Sequence, residues 1–164
     1  TCLLLHGLLG NRKNVRSFAR SLVKAHPDWR VLLLDLRGHG ESTALNRPSD
    51  EFLQKHGDTN NRNRPSLFDV AEDVAFTMSE KIEGLDEPPQ MICGHSMGGK
   101  TAMLFSLKYP ELISRVFIMD ISPKFYPNHN QHIIDALKKI DLDKFDLRKE
   151  IEKVLSKSIM DVLK

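Results

Sequence analysis

Short apolar runs alternate with segments of helical periodicity along the first 120 residues of the chain. Four of the runs predict strands. Residues 1–5 have the pattern of a strand buried on both faces of a parallel sheet, and further strands are predicted at residues 29–34, 91–93 and 115–119. Three segments between these runs place their apolar side chains at helical spacing: residues 11–25, 66–82 and 97–109. This alternation predicts an α/β fold, with a parallel sheet flanked by helices and right-handed crossovers.

The alternation ends after residue 123. Two further helical stretches, at about 131–140 and 147–163, follow without an intervening strand. We therefore predict a core at residues 1–123 and a segment of a helical cap at residues 124–164. Residues 43–65 are polar and aperiodic, which indicates a long surface loop or insertion whose role the sequence does not specify.

Composition excludes several classes of protein. The 164 residues include 24 Lys and Arg against 22 Asp and Glu, mixed along the chain, so no basic stripe suggests nucleic acid. No apolar run approaches the roughly 20 residues of a membrane-spanning helix. Cys2 and Cys93 lie in apolar runs about three positions apart in the expected register, which predicts free thiols. Unpaired cysteines and the lack of an N-glycosylation acceptor favour an intracellular over a secreted protein.

The turn at residues 94–99 carries the chemistry. It reads Gly-His-Ser-Met-Gly-Gly, which matches G-x-S-x-G between an apolar strand and a helix. Such a turn projects a serine hydroxyl from the carboxyl edge of the sheet, so Ser96 is the candidate nucleophile and should have a positive φ. The alternative, an ordinary glycine-rich turn, is disfavoured by this context.

A serine nucleophile also needs backbone N–H donors for the oxyanion of its tetrahedral intermediate. The residue after the nucleophile, Met97, supplies one candidate. The other should come from the His-Gly-Leu-Leu-Gly loop at residues 6–10, with Leu8 the better candidate and Leu9 the second, on a strand expected beside that of Ser96.

These motifs resemble the α/β-hydrolase superfamily, through residues 6–7, the Asp-Leu-Arg-Gly-His-Gly run at 35–40 and the serine turn. Within it, residues 4–10, 99–103 and 119–123 look like the small esterases related to abhydrolase-domain-containing protein eleven and its bacterial counterparts. The resemblance implies hydrolysis of small-molecule carboxylic esters, acyl thioesters or lipids without a cofactor. It also implies an eight-stranded fold, so that a chain opening at Thr1 inside a strand is expected to be truncated at both ends.

The triad order of this fold is serine, acid, histidine. Asp120 ends the strand after the nucleophile helix and is the candidate acid, although many members of the superfamily place the acid one strand later. No histidine of the chain is a convincing base. Three are interpreted as structural parts of motifs (His6, His39, His95), two lie far from the site (His26, His56), and two begin the cap (His129, His132). The resemblance implies a base beyond residue 164, so no histidine of this chain is expected between Ser96 and Asp120.

Alternatives of other classes stay open. The chain could be a non-catalytic fragment or binding module on the same fold, or it could carry a lyase or carbon–carbon hydrolase chemistry. No metal-ligand spacing and no phosphate-binding loop occurs, so neither metals nor nucleotides are implied. Asp35 and Arg37 are interpreted as an ion pair that braces their loop. Oligomeric state and acyl substrate are not legible in the sequence.

Overall fold

A computed structural model describes residues 1–42, 66–80, 85, 87–127, 131–141, 144 and 147–162. The predicted insertion at 43–65 therefore lies outside the described residues. The chain divides into two compact units, Thr1–Pro123 and Lys124–Lys164.

The first unit is built on four parallel strands. They are β1 (Cys2–Leu5), β2 (Val31–Leu34), β3 (Met91–His95) and β4 (Arg115–Met119), in the spatial order β2-β1-β3-β4. The predicted parallel sheet and the predicted pairing of β1 with β3 are both confirmed. Because β1 and β3 are neighbours, the loop after β1 and the turn after β3 lie at the same edge of the sheet.

Among the described residues, three α-helices lie between the strands: α1 (Arg16–Ala25), α2 (Leu67–Ser79) and α3 (Met97–Lys108). Side chains alternate along β1, so that Leu3 and Leu5 pack in the cluster that contains residues of α2 and α3. Cys2 and Leu4 pack in a separate cluster with residues of α1. Strand β1 is thus buried on both faces, as predicted, and β3 is buried over most of its length. The two edge strands are less covered, since β2 is half-buried and Phe117 of β4 is 50% exposed.

Helix α1 starts five residues later than the periodicity predicts. The side chain of Asn11 accepts from the Lys13 N–H, and that of Asn14 accepts from the Asn11 N–H. Such local bonds offer the backbone an alternative to a helix, which is why Asn favours turns. Helix α2 begins where the sequence predicts, because Ser66 and Asp69 form a reciprocal capping box.

Cys2 and Cys93 are free and buried, as predicted. Their predicted offset of three positions is wrong: Cys2 lies opposite Met91 and Cys93 opposite Leu4, an offset of two. Two positions along a strand and one strand spacing still separate the Cα atoms by about 8 Å, beyond the roughly 7 Å limit for a disulfide. Burial raises the pKa of Cys2 to about 11, which leaves this thiol protonated and unreactive.

A buried carboxylate joins α2 to the end of α3. Glu72 is 2% exposed, and its two oxygens accept from Lys108 Nζ and, at 2.6 Å, from the Tyr109 hydroxyl. Burying a carboxylate is costly unless its oxygens are satisfied, so this cluster makes the packing of the two helices specific.

The substitution Lys108→Met should lower the free energy of unfolding by about 1–3 kcal/mol, because it leaves the buried charge of Glu72 with the Tyr109 hydroxyl alone. Urea denaturation at pH 7 measures this. In a Glu72→Gln background, Lys108→Met should lower the free energy of unfolding by much less, since no buried charge is left at residue 72. An equal cost in both backgrounds would refute the pairing.

The second unit contains α4 (Gln131–Lys138) and α5 (Arg148–Val162). Both lie where helical stretches are predicted; that they form a cap remains a prediction. No helix among the described residues has the length and apolar character to cross a membrane.

Candidate active site

Ser96 lies between β3 and α3, with φ 52° and ψ −114°. A positive φ is unfavourable for any residue with a Cβ, so the predicted backbone strain at this serine is confirmed. Two glycines make the turn possible. A Cβ on Gly94 would lie 2.2 Å from the Gly98 carbonyl oxygen, and one on Gly98 would lie 2.6 Å from the His6 carbonyl oxygen.

The Ser96 side chain is uncommitted: among the described residues, none forms a hydrogen bond with its hydroxyl, which does not cap the helix that it begins. A serine at a helix start usually accepts from the first turn of N–H groups. Here the strained backbone directs the hydroxyl elsewhere, as a nucleophile requires.

The candidate oxyanion donors come from the two loops that β1 and β3 bring together. Met97 is the first residue of α3, so its N–H has no acceptor four residues earlier within that helix. In the described part of the chain, no acceptor bonds the N–H of Leu8 either. The N–H of Leu9, by contrast, donates to His39 Nε2 at 3.2 Å. Of the two alternatives in this loop, Leu8 is therefore the one whose N–H is open to a ligand.

Asp120 directly follows β4, and the Ser96 N–H donates to the carbonyl of Met119 at 3.0 Å. The β3–β4 register pairs His95 with Met119, so Ser96 and Asp120 leave adjacent strands side by side. Asp120 has a φ of 55° and its side chain is 88% exposed. The structure thus brings the candidate nucleophile and the candidate acid to one edge of the sheet.

One histidine lies beside this acid. His95 Nε2 is 3.7 Å from Asp120 Oδ2, which is too long for a hydrogen bond, and no bond joins the His95 ring to Ser96. His129 lies outside the described residues. His132 belongs to the second unit.

The predicted ion pair of Asp35 with Arg37 is wrong. Asp35 binds the Arg12 guanidinium at 2.9 Å, while Arg37 binds Asp73 of α2, with 2.6 Å from Nε to Oδ2. Asp35 and Arg37 are thus each paired with a residue from another part of the fold. Arg12 is a residue that sequence reasoning missed, and only its charge could have suggested it.

The carboxylate of Asp35 holds two loops together. Its side chain is 4% exposed and accepts from the backbone N–H groups of Arg12, at 2.6 Å, and Glu41, at 2.9 Å. Burial alone would raise the pKa of Asp35, but these N–H groups and the Arg12 guanidinium hold that pKa below its ordinary value. The loop after β1 is therefore fixed to the loop after β2 by a permanent negative charge.

His6 is completely buried, and its ring bonds the backbone on both sides. Nε2 accepts from the Leu36 N–H at 3.0 Å, and Nδ1 lies 2.8 Å from the Gly7 carbonyl. Burial lowers the pKa of His6, which keeps the ring neutral near pH 7. The interpretation of His6 as structural agrees with these contacts.

No cluster of three His, Cys, Asp or Glu side chains that could hold a metal ion occurs within the described ranges.

A parallel sheet with a strained, serine-bearing strand-to-helix turn defines the class of this protein as α/β, with a candidate site at the carboxyl edge. A family profile described as the alpha/beta hydrolase fold matches residues 2–151. The chain belongs to the alpha/beta hydrolase fold family.

Two curated proteins and one solved structure illustrate the similarity. The "sn-1-specific diacylglycerol lipase ABHD11" of Mus musculus is 30% identical over 166 residues, covering 98% of this chain and 46% of the mouse protein. A Saccharomyces cerevisiae protein named "Probable alcohol acetyltransferase" is 36% identical over 121 residues, covering 74% of this chain and 30% of its own length. An alpha/beta hydrolase from Novosphingobium aromaticivorans matches with a TM-score of 0.56 at 21% identity, covering 84% of this chain and 41% of that structure. The chain thus spans less than half the length of these relatives.

Proposed function

We propose that the protein containing this chain is a serine hydrolase that cleaves carboxylic esters through an acyl-enzyme on Ser96. The observation that carries the proposal is the strained turn, which holds an unbonded serine hydroxyl, as judged over the described residues, at the start of α3 and next to the loop after β1. Membership in the alpha/beta hydrolase fold family supports it, as does the lipase name of the mouse relative.

Acylation starts when Ser96 Oγ attacks the ester carbonyl carbon. A histidine takes the hydroxyl proton, and the carbonyl oxygen becomes an oxyanion that accepts from the N–H groups of Met97 and Leu8. Collapse of this intermediate breaks the bond to the alcohol, which leaves with the proton from the imidazolium. Water then attacks the acyl-enzyme by the same route and releases the acid.

Asp120 is the proposed acid that orients the histidine and stabilises its imidazolium. Its side chain is 88% exposed and follows β4 next to Ser96 at the sheet edge, which supports this role. The histidine itself is proposed to follow residue 164 in the complete reading frame. The reaction as written uses only the protein's own groups and water.

The proposed substrates are small-molecule acyl esters. Leu8 and Leu9 are 45% and 60% exposed beside the candidate oxyanion site, and apolar side chains there would contact an acyl chain. By its name the mouse relative acts on the sn-1 position of diacylglycerol, so acylglycerols belong in the first panel of substrates.

Acyl transfer is the second candidate function, because one relative carries the name of an alcohol acetyltransferase. Both functions share the acyl-enzyme and differ only in whether water or an alcohol attacks it. A non-catalytic binding module is the third reading, and it predicts no acyl-enzyme at all.

The test compares the 164-residue chain with the complete protein on short-chain esters, medium-chain esters and diacylglycerol. We expect ester hydrolysis by the complete protein and almost none by the 164-residue chain, because a serine without its base loses most of the triad's rate. Added ethanol distinguishes transfer from hydrolysis through the ester it forms. Robust turnover by the 164-residue chain would contradict a base beyond residue 164, and failure of the folded complete protein on every ester would contradict the function.

A further inference from the structure

Three side chains fix the loop after β1, residues 6–10, which we term the oxyanion segment. Asp35 holds the backbone next to it at Arg12, and His6 accepts from the N–H of Leu36. The third side chain, His39, reaches back from the loop after β2 and accepts from the Leu9 N–H.

The two hydrogen bonds of the His39 ring determine which of its nitrogens carries the hydrogen. Nε2 lies 3.2 Å from the Leu9 nitrogen, so it must accept and cannot carry a hydrogen. Nδ1 lies 3.0 Å from the Arg37 carbonyl, which only accepts, so Nδ1 must carry the hydrogen. Both bonds are satisfied together only by the neutral Nδ1–H form of the ring.

Leu9 needs such a partner. Its φ is 58°, in the left-handed region that a leucine rarely adopts, and its side chain is 60% exposed and so poorly held by packing. The Gly7 carbonyl and the Gly10 N–H close the turn around it at 3.1 Å. The hydrogen bond from Leu9 to His39 fixes the peptide plane directly after Leu8. The plane before Leu8, which carries the Leu8 N–H, is held at the Gly7 carbonyl by His6 and Gly10, so the two planes together set the direction of that N–H.

We propose that His39 is a positioning residue, which in its neutral Nδ1–H form holds Leu9 and thereby directs the Leu8 N–H at the oxyanion. This rests on the proposed function in so far as Leu8 is an oxyanion donor. A hydrogen on Nε2 would face the Leu9 N–H as a second donor, so only a ring without that hydrogen makes the contact.

The charged groups around His39 come from both loops. The His6 ring is 5.1 Å away, centroid to centroid, and stays neutral because burial lowers its pKa. Asp35, with Arg12 and Glu41, forms an ion-pair cluster beside it, and the Arg37 guanidinium is bound to Asp73 on α2. Each of these neighbours therefore has a partner other than His39.

The first test is independent of activity and uses the 164-residue chain labelled with ¹⁵N. Two-bond correlations of the imidazole should show His39 in the Nδ1–H form at pH 8, and a coupling across the hydrogen bond should join the Leu9 amide to His39 Nε2. In His39→Ala the Leu9 amide should exchange faster with solvent, and in His39→Gln it should stay protected. An Nε2–H ring, or a Leu9 amide whose exchange His39→Ala leaves unchanged, would overturn the proposal.

The second test uses the complete protein and asks for a split between kcat and KM. His39→Ala should lower kcat at least about tenfold with KM nearly unchanged. Removal of an oxyanion donor lowers kcat by a factor of about 10²–10³, and a misaligned Leu8 N–H should lose part of that factor. His39→Gln should recover kcat to within about threefold, since its amide oxygen can accept from the Leu9 N–H. Equal damage by both variants, or none by His39→Ala, would overturn the role. If the wild type hydrolyses no ester, the proposed function fails while the first test still decides the role of His39 at Leu9.

Discussion

Ser96→Ala in the complete protein should lower kcat/KM for ester hydrolysis by about 10⁶, to the residual rate given by binding and the oxyanion site. The substitution removes the attacking oxygen and nothing else, because the Ser96 hydroxyl bonds none of the described residues. Stability should stay close to that of the wild type for the same reason, which urea denaturation checks alongside the kinetics.

The matched control is Ser106→Ala, ten residues along the same helix. Its hydroxyl donates to the Met103 carbonyl at 2.9 Å, away from the sheet edge, so this variant should hydrolyse esters at the wild-type rate. If Ser96→Ala retains more than a few per cent of wild-type activity, another group is the nucleophile and the proposed function is wrong.

Asp120→Asn should lower kcat by about 10⁴ with little effect on KM, because an amide in this position stabilises the wrong histidine tautomer. The change is nearly isosteric and the side chain is 88% exposed, so folding should be unaffected. The left-handed φ of 55° is also tolerated by Asn better than by most residues.

The control for this variant is Asp28→Asn, an exposed aspartate before β2, near the opposite edge of the sheet. It should leave kcat unchanged. A loss of less than about tenfold in Asp120→Asn would mean that the acid lies elsewhere, as the sequence alone also allows, and would leave Asp120 as a residue of the β4 loop.

Local signals account for the parts of the fold that the sequence predicts well. The apolar runs of β1 and β3 are bounded by glycine-containing turns, and the Ser66 cap marks the start of α2. Ser96 is predicted for the same reason, since G-x-S-x-G requires a strand before it and a helix after it, and both are legible within about 20 residues.

Contacts between distant segments account for what the sequence misses. Arg12 and Asp35 are far apart in the chain, and no periodicity links them. The contact of His39 with Leu9 likewise depends on β1 and β2 being neighbours, so the motif indicates a structural histidine without showing what it holds. Helix α1 starts late because the side-chain hydrogen bonds of two asparagines stabilise a turn where the apolar periodicity alone predicts a helix.

Covalent trapping of the nucleophile tests the central claim most directly. The complete protein is treated with a serine-directed fluorophosphonate, digested, and analysed by mass spectrometry for the residue that carries the phosphonyl group. We predict a single adduct on Ser96, absent from Ser96→Ala and present in Ser106→Ala. An adduct on another residue, or a folded and ester-hydrolysing protein whose Ser96 remains unlabelled, would contradict this role of Ser96.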